Sequence, residues 1–215
     1  MTKKPETKIV SKVGQRGRPA ISDEKKRLMR EEIAACAQRL FQAEGYGQVS
    51  MRRIASEIGC SPMTLYKYYD AKIDILRTLW ADVFSVVFDE LDALAATEMT
   101  PHDRLATLSS AYVTYWLDHT EHYRLVFMAE GVTQPDVSLF MDDPGIILRY
   151  RLLADAILAA NLDASPEALK QKLDALLCFL HGIAHNLITV SGYSWSSVDD
   201  LIGIALSGID GTKKS

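Results

Sequence analysis

The chain of 215 residues is 48% hydrophobic and 24% charged, with a formal net charge of −4. This length allows one large domain or two small ones, and no apolar run approaches the roughly 18 residues that a membrane span needs. The first residues lack the apolar segment of a secretory signal, and the odd number of cysteines indicates free thiols in a reducing compartment. We therefore expect a cytoplasmic protein without a membrane partner.

The charge is distributed unevenly along the chain. Residues 1–80 contain 16 Lys and Arg against 9 Asp and Glu, a net charge of +7, whereas residues 81–215 contain 8 against 19, a net charge of −11. The excess of positive charge lies entirely in residues 1–30. A basic N-terminal part on an acidic body is typical of a DNA-binding protein with a separate second domain.

Residues 1–21 are polar, charged and non-periodic, which predicts a disordered basic arm. Within it, Arg16-Gly17-Arg18-Pro19 matches the short core of segments that insert arginines into A·T-rich minor grooves. We expect Arg16 and Arg18 to contact DNA in this way. The alternative is a solvated basic tail that attracts phosphates without specificity.

The first predicted helix follows the arm. Ser22 is placed to cap it, and Asp23 and Glu24 lie in its first turn, where the helix dipole favours acidic side chains. The helix is expected to end near Ala43. Its apolar stripe consists of Ile33, Ala37, Leu40 and Phe41.

The segment from Ser50 to Lys72 predicts a helix-turn-helix. Ser50 can cap a first short helix, and Gly59 follows where a left-handed residue ends such a helix. Ser61 can cap a second helix that has Pro62 at its first position, where a missing N–H costs nothing. This pairing of two short helices is the element that places one helix in the DNA major groove. The residues expected to point inward are Ile54, Ala55, Ile58, Leu65 and Tyr69.

Motifs in residues 24–79 are specific enough to indicate a family. They are Leu40-Phe41, Gly45, Ser50, Ile54-Ala55, Gly59-Cys60-Ser61, Thr64-Leu65-Tyr66, Tyr69 and Lys72. This set resembles the DNA-binding domain of the TetR family of bacterial repressors, with Tyr69 in place of the family's Phe. The resemblance implies a homodimer on a palindromic operator in double-stranded DNA, with no cofactor and no enzymatic activity.

The DNA contacts implied by the resemblance fall on the matching positions. Base readout is expected from Pro62, Met63 and Tyr66 at the start of the recognition helix. Arg52 is expected to reach a guanine or a phosphate. Contacts that hold the backbone in register are expected from Ser50, Thr64, Lys67, Tyr68 and Lys72. For Tyr66 and Tyr68, packing against the first helix is the alternative.

The remainder of the chain predicts further helices and no strand, so we expect an all-α fold. Residues 131–145 contain two prolines and three aspartates and are interpreted as a loop. The predicted helices span residues 71–97, a segment that starts at 100–101 and breaks near 119–120, a short helix around 123–128, and residues 146–160, 166–189 and 197–206. The expected units are an arm (1–21), a helix-turn-helix domain (22–70), an effector-binding and dimerisation domain (71–210) and a tail (211–215).

The body resembles the ligand-binding and dimerisation part of TetR-type regulators. That resemblance implies a homodimer through the helices at 166–189 and 197–206, and a small-molecule effector that releases the operator. The alternative for each residue of the candidate pocket is simple core packing. The candidate pocket residues are Tyr112, Trp116, Tyr123, Phe127, Tyr150, His181, His185 and Asn186.

Two other functions fit the sequence less closely. His181 and His185 have the i, i+4 spacing of two metal ligands on one helix face, and His119 and His122 are further candidates for such a site. No Glu lies between His181 and His185 as in metalloprotease helices, and the simpler interpretation of the pair is buried, hydrogen-bonded histidines beside an interface or a pocket. A protein of the same fold could also act as an activator or as a local regulator without a ligand.

Overall fold

The computed structural model describes residues 22–160 and 165–210, which contain ten helices and no strand. The prediction of an all-α fold is therefore confirmed. The helices are α1 (Asp23–Glu44), α2 (Met51–Ile58), α3 (Pro62–Leu65), α4 (Lys72–Ala95), α5 (Pro101–Asp118), α6 (Thr120–Phe127), α7 (Gln134–Met141), α8 (Pro144–Ala159), α9 (Pro166–Thr189) and α10 (Val198–Asp210).

Helices α1 to α3 form an N-terminal head whose local signals act as the sequence predicts. The side chains of Ser22, Ser50 and Ser61 each accept a backbone N–H in the first turn of the helix that follows. Gly59 ends α2 in the left-handed region at φ 75°. Leu65 and Tyr69 are 0% and 2% exposed, so they hold the turn against α1 and α2.

Helix α4 connects the head to the body without interruption. Its first turns pack against α1, and its later turns pack against α5 and α8. A stripe of large apolar side chains is buried along its whole length, which stabilises one orientation of head and body. The buried side chains are Ile75, Leu76, Leu79, Trp80, Val83, Phe84, Val87, Phe88 and Leu91.

The body is arranged around α5. This helix packs against α4, α8, α9 and α10, and it supplies the fully buried side chains of Tyr112 and Trp116. Helices α9 and α10 pack on one another and on α5. Short α6 lies against α1, α4 and α5, so it touches the head as well as the body.

The prediction of a loop over residues 131–145 is wrong. Thr133 and Asp136 form a capping box that starts α7, and Asp143 caps α8, which begins at Pro144. Both prolines and two of the three aspartates, Asp136 and Asp143, therefore lie at helix N-termini, and Asp142 ends α7. Asp136 also forms an ion pair with Arg77, which attaches α7 to α4. The last helix is longer than predicted, because α10 continues past Leu206 to Asp210.

Some predictions fall outside the described residues. The arm with Arg16 and Arg18, and the tail at 211–215, lie there, so their proposed roles remain predictions. In the ranges that are described, none of the helices combines the length and the apolar character that crossing a bilayer requires.

Candidate functional site

The outward face of α3 presents two large, unburied side chains. Met63 is 72% exposed and Tyr66 is 47% exposed, whereas Leu65 between them is fully buried. The buried Leu65 and the Ser61 cap hold this turn rigidly, so the positions of Met63 and Tyr66 are determined by the fold. Exposed apolar side chains on a rigid helical turn suit contacts with thymine methyl groups in a major groove.

The hydroxyls of the head have structural partners. The Ser50 oxygen accepts the N–H of Arg53 at 3.1 Å, and the hydroxyl oxygens of Ser61 and Thr64 lie 2.9 Å apart. Ser50 and Pro62 are exposed and Thr64 is half-buried. A capping hydroxyl keeps a second lone pair and its own proton, so these positions can still meet a phosphate.

Most arginines of the head are held by other groups. Arg53 forms ion pairs with Glu44 and Glu57, and the Arg30 guanidinium donates to the Tyr68 carbonyl oxygen. Arg52 and Lys67 differ, because both are exposed and neither pairs with a carboxylate anywhere in residues 22–160 or 165–210. Among the helix-turn-helix cations they are the ones available to phosphates.

The Lys72 side chain forms contacts within the protein. Its ammonium group donates to the carbonyl oxygens of Tyr46 and Val49 at 2.6 and 2.8 Å, and it lies 4.0 Å from the centre of the Tyr46 ring. Burial lowers the pKa of this amine. Tyr68 is half-buried against the apolar core. Both residues remain predicted DNA contacts, and Lys72 also has a structural role that its position in the motif did not indicate.

Seven of the eight predicted pocket residues lie together in the body. The Tyr112 hydroxyl is 3.0 Å from Nε2 of His181, and the Tyr123 hydroxyl is 3.3 Å from Nδ1 of His185. Trp116 and Phe127 pack within the same group, at 5.1 Å between ring centres. Asn186 is not part of it, because its exposed amide donates to the Gly182 carbonyl oxygen.

The centre of this aromatic cluster is buried, with Tyr112 and Trp116 both 0% exposed. Burial raises the pKa of Tyr112 well above its usual value and raises the pKa of Tyr150 to about 12. Burial also lowers the pKa of His181 to about 4, so its imidazole is neutral at pH 7. The Nε1 of Trp116 is buried and has no hydrogen-bond partner among the residues that the structure describes. An unpaired buried donor of this kind costs about 1–3 kcal/mol.

A cavity of about 570 Å³ opens between α7, α8 and α9, next to the cluster. Tyr150 is the only predicted pocket residue on its described wall, and Arg151 is the charged residue there. The cavity could not be anticipated from sequence, because the prolines and aspartates of residues 131–145 favour a loop, and a loop assigns no face to the apolar side chains of α7. The apolar wall consists of Met141, Pro144, Ile147, Leu148, Tyr150, Ala154, Leu173 and Leu177.

Tyr150 connects this cavity to α4. Its ring packs edge-on against Phe88 at 4.9 Å and against Phe84 at 6.1 Å, both on α4. Helix α4 begins at Lys72, whose amine holds the Tyr46 and Val49 carbonyls of the head. A continuous set of packed groups therefore runs from the cavity wall to the helix-turn-helix.

The histidines form two separate groups. His181 and His185 each have one ring nitrogen within hydrogen-bond distance of a tyrosine hydroxyl, but His181 is half-buried and His185 is exposed, so the expected pair of buried histidines is not present. His119 and His122 lie at the junction of α5 and α6, where they form a group with Glu121 instead of joining the α9 pair.

A comparison with family models matches residues 33–79 to bacterial regulatory proteins of the tetR family. The match covers the end of α1, the helix-turn-helix and the start of α4. It agrees with the prediction of a DNA-binding domain of a non-enzymatic regulator. A comparison with functionally curated proteins found no match.

Solved structures share the fold of the chain. A tetR-family regulatory protein from Rhodococcus RHA1 is 20% identical with a TM-score of 0.59, covering 84% of this chain and 94% of its own. A TetR/AcrR regulator from Thermobifida fusca is 19% identical with a TM-score of 0.54, covering 87% and 99%. FadR of Thermus thermophilus, a TetR-family repressor solved with lauroyl-CoA, is 16% identical with a TM-score of 0.63, covering 84% and 92%.

Proposed function

We propose that this chain, which belongs to the tetR family of bacterial transcriptional regulators, is a cytoplasmic homodimeric repressor of a palindromic operator. In this proposal a small apolar effector binds in the body and releases the DNA. The observation that carries the proposal is the pair of exposed side chains, Met63 and Tyr66, on a turn fixed by the buried Leu65.

In this proposal, base contacts and phosphate contacts come from different residues. Met63, Tyr66 and Pro62 supply the base-facing surface, and Arg52 and Lys67 supply cations not engaged by carboxylates in the described residues. Residues 31–80 have six basic and six acidic residues and are therefore neutral. Much of the phosphate attraction is then expected from the basic arm, through Arg16 and Arg18 among others.

Exposed apolar side chains on α9 and α10, which we call the outer face of these helices, support the proposal of a dimer. Phe179 on α9 is 46% exposed and Ile204 on α10 is 72% exposed. Gly182 and Gly203 lie near them in sequence, and an added Cβ at either glycine would meet no atom within 4 Å. Exposed large apolar side chains beside small residues suit the close approach of a second copy.

The cavity between α7, α8 and α9 supports an apolar effector. Its volume of about 570 Å³ and its apolar wall suit an acyl chain or a similar molecule, and Arg151 suits an acidic or phosphate group on it. The likeness to a repressor solved with lauroyl-CoA favours the same class of ligand. An effector that displaces Tyr150 would push on Phe84 and Phe88 of α4.

The effector needs to change DNA affinity only modestly. A coupling free energy of about 1–3 kcal/mol corresponds to roughly 5- to 150-fold in affinity. A small displacement of α4 transmitted to both heads of a dimer changes the separation of the two recognition turns, which is the distance that a palindrome requires.

Selection of binding sites from random-sequence duplexes tests the DNA-binding part. The expected product is an inverted repeat whose half-sites lie about one helical turn apart. Transcript levels of the neighbouring genes in a deletion strain then separate repression, which predicts a rise, from activation, which predicts a fall. Recovery of no preferred sequence would contradict the proposal.

Titration of the preformed DNA complex with lauroyl-CoA or dodecanoate tests the effector part. The expected result is release of DNA by the wild type and weaker release by Ala154→Phe, which fills the cavity wall. Leu139→Ala is a matched control, because it truncates an exposed side chain that neither lines the cavity nor lies on the proposed dimer face. Equal release by wild type and Ala154→Phe would exclude this cavity as the site.

A further inference from the structure

Two histidines and a glutamate converge where α5 passes into α6. One ligand atom each of His119, Glu121 and His122 lies within 4.8 Å of the other two. Nδ1 of His119 is 3.8 Å from Oε1 of Glu121, and the two imidazole rings are nearly parallel, with centres 5.2 Å apart. Tetrahedral zinc holds its ligand atoms roughly 3.4 Å apart, so binding would require side-chain rotations that bring these atoms closer by up to about 1.4 Å.

Two of the three side chains are open to solvent. The side chains of His119 and Glu121 are 42% and 49% exposed, so an ion reaches them from solvent. The His122 side chain is half-buried. The carboxylate of Glu121 adds negative charge in the first turn of α6, where the helix dipole alone would oppose a cation.

A tyrosine orients one of the imidazoles. The Tyr115 hydroxyl lies 2.8 Å from Nδ1 of His122, and the two rings stack with centres 6.0 Å apart. A neutral imidazole that donates its Nδ1–H to this oxygen keeps its lone pair on Nε2. Metal-binding histidines characteristically have such a partner on the second nitrogen, where it fixes the tautomer and the ring orientation.

We propose that His119, Glu121 and His122 form a binding site for a divalent transition metal, with Zn²⁺ as the preferred probe. Two imidazoles and one carboxylate suit Zn²⁺, Ni²⁺ and Cu²⁺, whereas Mg²⁺ prefers oxygen ligands. Three protein ligands leave the fourth tetrahedral position to water. This site is distinct from the pair His181 and His185, whose nitrogens face Tyr112 and Tyr123.

The proposed metal site lies at the start of a helix that contacts both the head and the body. Helix α6 packs against α1 of the head and against α4, and Glu121 also lies on the wall of a cavity of about 410 Å³ between α6 and the loop after α1. A bound ion would fasten the first turn of α6 to the end of α5.

Calorimetric titration of the full-length protein with Zn²⁺, in the presence of a non-chelating reductant, tests the proposal. The expected result is one Zn²⁺ per chain, with binding at least tenfold weaker in His119→Ala, His122→Ala and Glu121→Gln. Tyr115→Phe should weaken binding roughly ten- to hundredfold, as loss of an outer partner does. His102→Ala is the matched control, since His102 is an exposed α5 histidine outside the group, and it should bind as the wild type does.

Three results would overturn the proposal: no saturable binding by the wild type, unchanged binding by the ligand variants, or loss of binding in Cys178→Ser or His185→Ala instead. Glu121→Gln decides the question if a histidine variant fails to fold, because the half-exposed Glu121 side chain contributes nothing to the core. Mg²⁺ should not raise the melting temperature, whereas Zn²⁺ should raise it in proportion to the logarithm of its concentration.

Discussion

The ammonium group of Lys72 lies 2.6 Å from the carbonyl oxygen of Tyr46 and 4.0 Å above the ring of the same residue. These contacts, with a second hydrogen bond to the Val49 carbonyl oxygen, join the start of α4 to the loop between α1 and α2. The head is therefore attached to the connecting helix by a charged hydrogen bond as well as by apolar packing, and the motif lysine has a role within the protein beside its predicted contact with phosphate.

Lys72→Met should separate these two roles. Loss of two charge-assisted hydrogen bonds leaves the carbonyls of Tyr46 and Val49 without this donor, so we expect a loss of about 1–3 kcal/mol in the free energy of unfolding. Lys67→Met is the control. Loss of its exposed amine should leave the free energy of unfolding unchanged and should reduce the salt slope of DNA binding by about one. Chemical denaturation and salt-dependent DNA titrations of both variants check this, and a stable Lys72→Met protein would refute the structural role.

Acid should destabilise the protein through His181. Its pKa in the folded protein is about 4, below the ordinary value near 6.5. Between these values the unfolded chain binds a proton that the folded chain does not, so stability is lost as pH falls from about 6.5 towards 4, by at most about 3 kcal/mol. His181→Gln should flatten this dependence in denaturation curves at several pH values. His122, whose pKa burial also lowers, is present in both proteins and cancels in the difference.

A charge on the outer face of α9 or α10 should separate the proposed dimer. Phe179→Glu and Ile204→Glu place a carboxylate on exposed positions, so the monomer should still fold while a second copy is repelled. Sedimentation should show a dimer for the wild type and a monomer for each variant. Leu139→Glu alters an equally exposed apolar side chain on α7, outside this face, and should remain dimeric. Dimers in all three variants would show that another surface is used.

Deletion of residues 1–20 should weaken DNA binding and flatten its salt dependence more than it changes sequence preference. The deleted segment carries six basic residues and one acidic residue, and residues 31–80 are neutral. Each lost phosphate contact should reduce the salt slope by about 0.9. Binding titrations over a range of salt concentrations measure this slope. Unchanged affinity and slope would show that the arm does not take part.

The helix boundaries were predictable wherever they depend on neighbouring residues. Ser50, Gly59 and Ser61 act within three or four positions of their own place in the chain, so their effect can be inferred from sequence. The same local rules mislead at residues 131–145, because proline and aspartate are common both in loops and in first turns of helices. The ion pair of Asp136 with Arg77, 59 residues away, attaches α7 to α4 and cannot be inferred from neighbouring residues.

Some features of the candidate sites also follow from the local sequence, whereas others depend on tertiary packing. The exposed face with Met63 and Tyr66 follows from the helical period, but the engagement of Lys72 with Tyr46 depends on tertiary packing. The sequence identifies the aromatic residues of the body as candidates for a pocket, but which of their rings contact one another depends on tertiary packing. The cavity that adjoins them at Tyr150 arises from the meeting of three helices.

The rigid turn that carries Met63 and Tyr66 is proposed to read DNA sequence. The most direct test is the affinity of wild-type protein and of the double variant Met63→Ala/Tyr66→Ala for the selected operator and for a scrambled duplex at one moderate salt concentration. We predict that the wild type prefers the operator by about a thousandfold or more. The double variant should lose roughly ten- to hundredfold on the operator and keep its affinity for the scrambled duplex. Equal affinity of the wild type for both duplexes, or an undiminished preference in the double variant, would contradict the account.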